Sequence, residues 1–577
     1  MHDDAEFRTD TDTLFAPALP DGAPDEIAVP KSLTGIVTAT LPALALAACG
    51  GDGGSAPTSV TPTPTPTPTV VAPTKTQASR FLGQTTMGVA SADVDKVVAQ
   101  GYDAWIAEQF ATPRATTFWD WLVAGGYNAA ANINGQAGFD PAVWKQLISG
   151  QDQLRQRTGM ALLNMLVVGI DGLNTNWKAF AQAGYMDVLW DNAFGNYRDI
   201  MDKISLNAAM GYWLTYIGNR KANTTTGAQP DENYARELMQ LFTIGLYKLN
   251  ADGTQQLTGG NPVETYTQDD VQQLARVFTG FTLDSTDSTT PDRLRRPLIN
   301  VAANYETGAK AFLGATIPAG TTAFESLRLA LDAIFAHTNV PPFVSKQLIQ
   351  RFVTSNPSAA YVGRVSAVFT NNGSGVRGDM KAVIRAILTD TEARSDTNLT
   401  NANFGHLREP VMRLTNWARA FGVTSASDAW AIGNTSSSLN RLAESPGHSP
   451  SVFNFFRPGY APPNTAIATA GLVAPEMQIT NEPSVIAYVN YMQTLIQSGT
   501  GDVRADYTAI LTKATDTNAL VDEVNLLVAN GQLGSATVSA IQTAVASIGT
   551  TTAALLNNRV YTAILLTMAS PDYLAQK

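Results

Sequence analysis

The chain has 577 residues, of which 44% are hydrophobic and 15% charged, enough length and apolar content for a large buried core. A formal net charge of -11 leaves no basic footprint for non-specific nucleic-acid binding. Four histidines and one cysteine exclude a zinc ribbon, an iron–sulfur cluster and a disulfide framework, so no metal or cofactor is expected and the fold must stand on packing.

The run Ser32 to Ala48 (SLTGIVTATLPALALAA) carries no charge and follows Lys31. It is shorter than the roughly 20 apolar residues of a membrane span and reads as a signal peptide. Its end, Leu46-Ala47-Ala48-Cys49-Gly50, resembles the bacterial lipobox. That resemblance implies cleavage before Cys49 and lipid attachment to it. Residues 1–30 are acidic and long where a signal n-region is short and basic. A start at Val29 would give ordinary proportions, so 1–28 are read as a segment that is not translated. Gly50 to Thr74 alternates Thr and Pro and predicts a disordered, extended stalk over 49–77. The expected product is a lipoprotein of the cell envelope, anchored in the outer membrane or periplasm and able to reach the cell surface.

From Ala78 onward helical patterns dominate. Ser91 to Phe110 has a Ser at its start and is divided by Gly101, and Leu154 to Val168 is apolar on more than one face. Asp231 to Leu246 (DENYARELMQLFTIGL) places Tyr234, Leu238, Leu241 and Phe242 on one face and Glu232, Asn233, Arg236, Glu237 and Gln240 on the other. Turn signals at Asn250 to Gly253 and Gly259 to Pro262 predict one short β-hairpin over Tyr247 to Glu264. Asn250 to Gly253 is a turn rather than a calcium loop, because counting from Lys248 puts Gly259 where a bidentate Glu is needed. Thr267 with Asp270 predicts a capped helix to about Thr279, stopped by Gly280. A polar loop follows at Asp284 to Arg296, then helices at Phe324 to His337, Pro342 to Val353, Ser358 to Phe369, Asp379 to Arg394, Leu407 to Phe421 and Val485 to Gln497, with several more in the last seventy residues. The expected fold is mainly α: one large multi-helix domain over 78–577, with a division into two lobes near 284–296 left open.

PDENYARELMQLFTIGLYKLN from Pro230 and YTQDDVQQLARVFTGF from Tyr266 resemble a bacterial family known as domain of unknown function 1800. ASRFLGQTTMG at Ala78, FGNYRD at Phe194, LREPV at Leu407, SPSVFNFFRPGY at Ser449 and MASPDYLAQ at Met568 agree in order. The resemblance implies export and a neighbouring partner from domain-of-unknown-function family 1501, whose members are similar to alkaline phosphatases and sulfatases. Where the family pattern has His before an acidic residue, this chain has Tyr305, in Tyr305-Glu306-Thr307-Gly308-Ala309-Lys310.

Two places could carry chemistry. Glu232 and Glu237 flanked by Arg236 could serve as general acid and base if burial separated their pKa values, although Glu–Arg helix pairs more often serve packing. Arg408 and Glu409 are discounted for the same reason. His448 sits in a loop of Ser, Pro and aromatics where a site role and a packing role are balanced. His337 is expected as an imidazolium at a helix C-terminus, and His406 has no assignable partner. No glycine-rich phosphate loop or G-x-S-x-G elbow occurs in a strand-to-helix context. The sequence therefore points to a binding or assembly component of the envelope that works with another exported protein, the alternative being an extracytoplasmic hydrolase with a carboxylate pair.

Overall fold

Thr74 opens the first helix, Lys75–Thr85, with a reciprocal cap: its hydroxyl accepts from the Gln77 N–H while the Gln77 side chain accepts the Thr74 N–H. A computed structural model describes residues 72–577. The segment expected to be a signal peptide, Cys49 and all but the end of the expected stalk fall outside the described residues, and the first helix begins at Lys75. The fold is mainly α, with 23 helices among the described residues.

Local chemistry sets most element boundaries. Ser91–Ala111 kinks at Gly101, whose φ of 80° no helix accommodates, but its N-cap is Ala90 and no side chain caps it. Gln268–Ala275 is capped by Thr267 and Asp270 and is followed by a short tight turn, Arg276–Phe278. The helix expected over Leu154 to Val168 ends early, at Leu163. The one expected over Asp379 to Arg394 breaks into Met380–Thr389 and Thr391–Arg394, because the Asp390 side chain caps the second piece.

The expected hairpin forms, with Leu257–Thr258 paired to Asn261–Pro262 and further bridges at Tyr247–Glu264 and Leu249–Gln255. Four other two-stranded antiparallel ribbons had no sequence signal: Phe281–Thr282 with Ile299–Asn300, Lys310–Phe312 with Ala315–Ile317, His406–Leu407 with Ala575–Gln576, and Thr424–Ser425 with Val503–Arg504. Strands of two or three residues are too short for alternation to register.

The described residues pack around one hydrophobic core that runs from Ala78 to Tyr573 and form one compact unit. No helix among the described residues is long and apolar enough to cross a membrane. The two ends of the domain meet inside it. Gln576 pairs with His406 and its amide donates to the Gly83 carbonyl at 3.1 Å. Arg408 donates to the Tyr573 carbonyl at 3.0 Å and to Asn530 Oδ1 at 2.6 Å, while Asn530 Nδ2 donates to the Ser79 carbonyl at 3.0 Å.

Candidate functional site

The segment that held most promise in sequence is not one regular helix. Asn233–Glu237 is α-helical and Leu238–Thr243 widens into a π-helix, a departure frequent at functional sites. The cause is tertiary. Tyr197 Oη donates to the Phe242 carbonyl at 2.7 Å, and buried Asn339 donates to the Ile244 and Tyr247 carbonyls, each at 2.8 Å. Gly245 ends the segment at φ 71°, pressed against the Phe343 ring.

The two carboxylates, five positions apart on the preceding α-helical turn, point in different directions. Glu232 stays near the surface, 3.1 Å from Arg236 Nη2. Gln268 closes a triangle, donating to Glu232 at 2.7 Å and accepting from Arg236 at 2.9 Å. Glu237 does not share that polar face but turns inward, 8% exposed, with Oε2 lacking any hydrogen-bond partner. Burial, opposed by the charge of Arg236, pushes its carboxyl up to about 7. The expected pair is thus one ion-paired surface carboxylate and one buried acid that titrates near neutrality. Only the second suits general acid or base work.

His448 is more tightly held than its loop setting implied. Nε2 lies 2.8 Å from Asp140 Oδ1, in the first turn of Phe139–Ser149, and Nδ1 lies 2.9 Å from Asp171 Oδ2, in the turn Ile170–Gly172. The Ile170 N–H also donates to the Gly447 carbonyl at 2.9 Å. Asn434 Nδ2 approaches Nδ1 to 3.0 Å, held there because Asn434 Oδ1 accepts the Ser436 N–H. The full charge of Asp171 decides that competition, so we assign the Nδ1 proton to the Asp171 bond. Burial works against protonation, but the two carboxylates outweigh it and hold the imidazole above its ordinary range. With both ring nitrogens donating, this histidine is a clamp and has no lone pair to accept a proton.

A third group lies deep in the interior. Arg157 and Arg351 are buried, and Arg157 donates to the Arg351 carbonyl and to Met412 Sδ. Arg351 donates to the Asn164 carbonyl at 3.0 Å. Asn164 in turn donates to Glu409 Oε2 at 2.9 Å and accepts from Asn454 at 2.8 Å. Glu444 receives the Val411 N–H at 3.1 Å, and burial together with the charge of Glu409 drives its carboxyl well upward. His406 sits at the edge of this layer, its Nδ1 3.4 Å from Glu476 Oε1. Arg408 and Glu409 therefore join helices from inside rather than lining the surface.

Two other readings change. His337 does end Ala323–Ala336, but burial and the charges of Lys248 and Arg377 lower its pKa. Its Nδ1 accepts the Asn339 N–H at 3.1 Å, so it is a neutral acceptor and not an imidazolium. In the segment Tyr305 to Lys310 the two end residues touch: Lys310 Nζ donates to Tyr305 Oη at 3.1 Å and to the Glu306 and Gly308 carbonyls at 2.7 and 3.1 Å. Burial lowers this lysine to about 8.

Sequence reasoning missed Asp140, Asp171, Asn164, Glu444 and Glu476 as partners. Each lies in a segment with no motif of its own, and a single sequence gives no signal that would join them.

No curated protein and no solved structure matches the chain. The family described as protein of unknown function (DUF1800) matches residues 80–575, from within the first helix to the first residue of the closing strand. The chain belongs to that family.

Proposed function

We propose that the chain is an exported envelope lipoprotein, acylated at Cys49, whose helical domain binds or assembles with another exported protein, of family 1501. The observation that carries the binding reading is an apolar face at the start of the helix Glu482–Ser498. Val485 and Ile486 are 48% and 63% exposed, and half-buried Val489 lies between them one turn on, at i+4 and i+3, so that it borders both. Exposed apolar groups gathered on one face mark contact surfaces more often than scattered ones do. The use of His448, Arg408 and Glu409 as internal ties, described above, supports the same reading. Affinity capture from solubilised envelope with the intact chain should recover a family 1501 protein, and the double substitution Val485→Asp, Ile486→Asp should abolish recovery without loss of folding. Recovery unchanged by that substitution, or no family 1501 protein at all, overturns the proposal.

A second reading, an extracytoplasmic hydrolase, is favoured by Glu237 alone. Its unpartnered Oε2 and its titration near 7 are the properties of a general acid or base. In that reading Glu237 exchanges a proton with the substrate, and Glu232, held by Arg236 and Gln268, is not its partner. Loss of activity in Glu237→Gln with activity retained in Glu232→Gln is the expected result.

A further inference from the structure

Before the helix Glu482–Ser498 the chain makes a long excursion, Arg457 to Thr480, whose only regular structure is the single turn Ala466–Thr469 and the tight turn Pro475–Ile479. It exceeds the roughly 12–15 residues beyond which such loops are uncommon and usually functional. The loop is closed on itself: the Ala474 N–H donates to the Tyr460 carbonyl at 2.8 Å and the Arg457 N–H to Gln478 Oε1 at 2.8 Å. Its far end is fixed, because Asn481 and Ser484 cap each other at the start of the next helix. None of its apolar side chains joins the hydrophobic core. Apart from that capped end, its only hydrogen bonds to the rest of the domain, among the described residues, are two on Asn356. That side chain donates to the Val473 carbonyl and accepts the Val473 N–H, each at 2.9 Å.

What the loop buries is a charge. Pro475 and Glu476 are its only buried residues, and Glu476 reaches the edge of the internal Arg–Glu layer, its Oε1 3.4 Å from His406 Nδ1. The contact is poorly aligned, since neither ring nitrogen of His406, nor Glu476 Oε2, has a hydrogen-bond partner. Burial lowers the Arg351 guanidinium to about 10, opposed by Glu409 and Glu476, so Glu476 is balanced by charge rather than by bonds of its own. A carboxylate taken from water without its hydrogen bonds costs free energy that nearby cations return only in part, whereas water would satisfy Glu476 and His406 alike. The closed loop is therefore held weakly at its deepest point, and segments with few apolar contacts are the ones that open locally. We propose that Arg457 to Thr480 is a lid that opens while the rest of the domain stays folded, and that Glu476 is the plug whose withdrawal uncovers His406. The Val485 face and Glu237 take no part, so failure of the lid leaves both readings of function untouched.

The test uses the full chain and two readings by mass spectrometry: amide hydrogen exchange, and carbethoxylation of histidine by diethyl pyrocarbonate at neutral pH, which needs an imidazole open to the reagent. Amides of Arg457 to Thr480 should be protected at least about tenfold less than those of the helices Val340–Phe352 and Pro410–Ala420, and His406 should be labelled without unfolding of the domain. Asn356→Ala removes both ties while leaving His406 and Glu476 unaltered. It should raise loop exchange and His406 labelling about tenfold, the effect of losing one or two hydrogen bonds, with both helices and the labelling of His448 unchanged. Loop protection equal to that of the helices, His406 labelled only as the domain unfolds, or labelling indifferent to Asn356→Ala would overturn the proposal. If Asn356→Ala fails to fold, the two readings on the unaltered chain decide it.

Discussion

His448 Nε2 stands 2.8 Å from Asp140 Oδ1, and because the other ring nitrogen reaches Asp171, one imidazolium ties a helix start to a distant turn. Its folded pKa is raised, so the clamp contributes fully below the unfolded value of about 6.5 and is lost as pH rises through the folded value. His448→Gln should cost about 1–3 kcal/mol at mildly acid pH, discounted for the exposure of Asp171, and progressively less above neutrality. Urea unfolding of both proteins across that range measures this, and parallel stability curves would remove the clamp from the account.

Glu237 runs the opposite way to an ordinary carboxylate. Its folded pKa is raised from 4.5 to about 7, so the unfolded chain loses its proton first and stability falls as pH climbs between those values, by roughly 3 kcal/mol in all. Glu237→Gln should flatten this slope and leave the protein at least as stable as wild type at pH 8. A variant that melts several degrees early at pH 8 would mean that the buried carboxylate has a partner in solution.

Arg236 and Glu232 are both partly exposed. Arg236→Ala should therefore cost under about 1 kcal/mol, the range of surface pairs, and not the 3–5 kcal/mol that follows from stranding a buried charge. Chemical denaturation decides between the two.

Asn164 is the opposite case. Asn164→Leu leaves Glu409 without its amide donor and Asn454 without its acceptor in the interior, which should cost about 3 kcal/mol or more. A midpoint of urea unfolding within experimental scatter of wild type would show that the layer rearranges freely.

Cys49→Ser should leave the domain folded and release it from membranes, since a lipid at Cys49 is the anchor proposed here. Sedimentation after a high-salt wash reads this directly, and a variant that still pellets with membrane defeats the anchor.

What could be read from sequence was chemistry acting over a few residues. The Thr267–Asp270 cap, the Gly101 kink and the Asn250 to Gly253 turn appear where expected because the groups that make them are neighbours along the chain. Glu237 could not be read in the same way. Its inward turn accompanies a π-helix held by Tyr197 and Asn339, 45 and 95 positions from the carbonyls they bind. The partners of His448 lie 308 and 277 positions away, and no periodicity spans that distance. Helix content, the hairpin and the mainly α class were thus legible, whereas the protonation of His337, the burial of Glu237 and the Arg–Glu layer belong to tertiary structure.

The bond from Gln576 to Gly83 joins groups 493 positions apart. Arg408, which also grips Tyr573, has no carbonyl to hold until the last helical turn arrives. Such long-range closure slows folding, because loop entropy is lost before contacts compensate for it. The Gly83 carbonyl at the end of the first helix therefore waits for its partner until almost the whole polypeptide has been synthesised. If the chain is exported as proposed, threading a translocation channel as an extended strand, this delay is useful: premature compaction on the ribosome side is disfavoured by the topology itself. A nascent chain stopped before Pro571 should correspondingly remain open to protease and to chaperones long after its helices have begun to form.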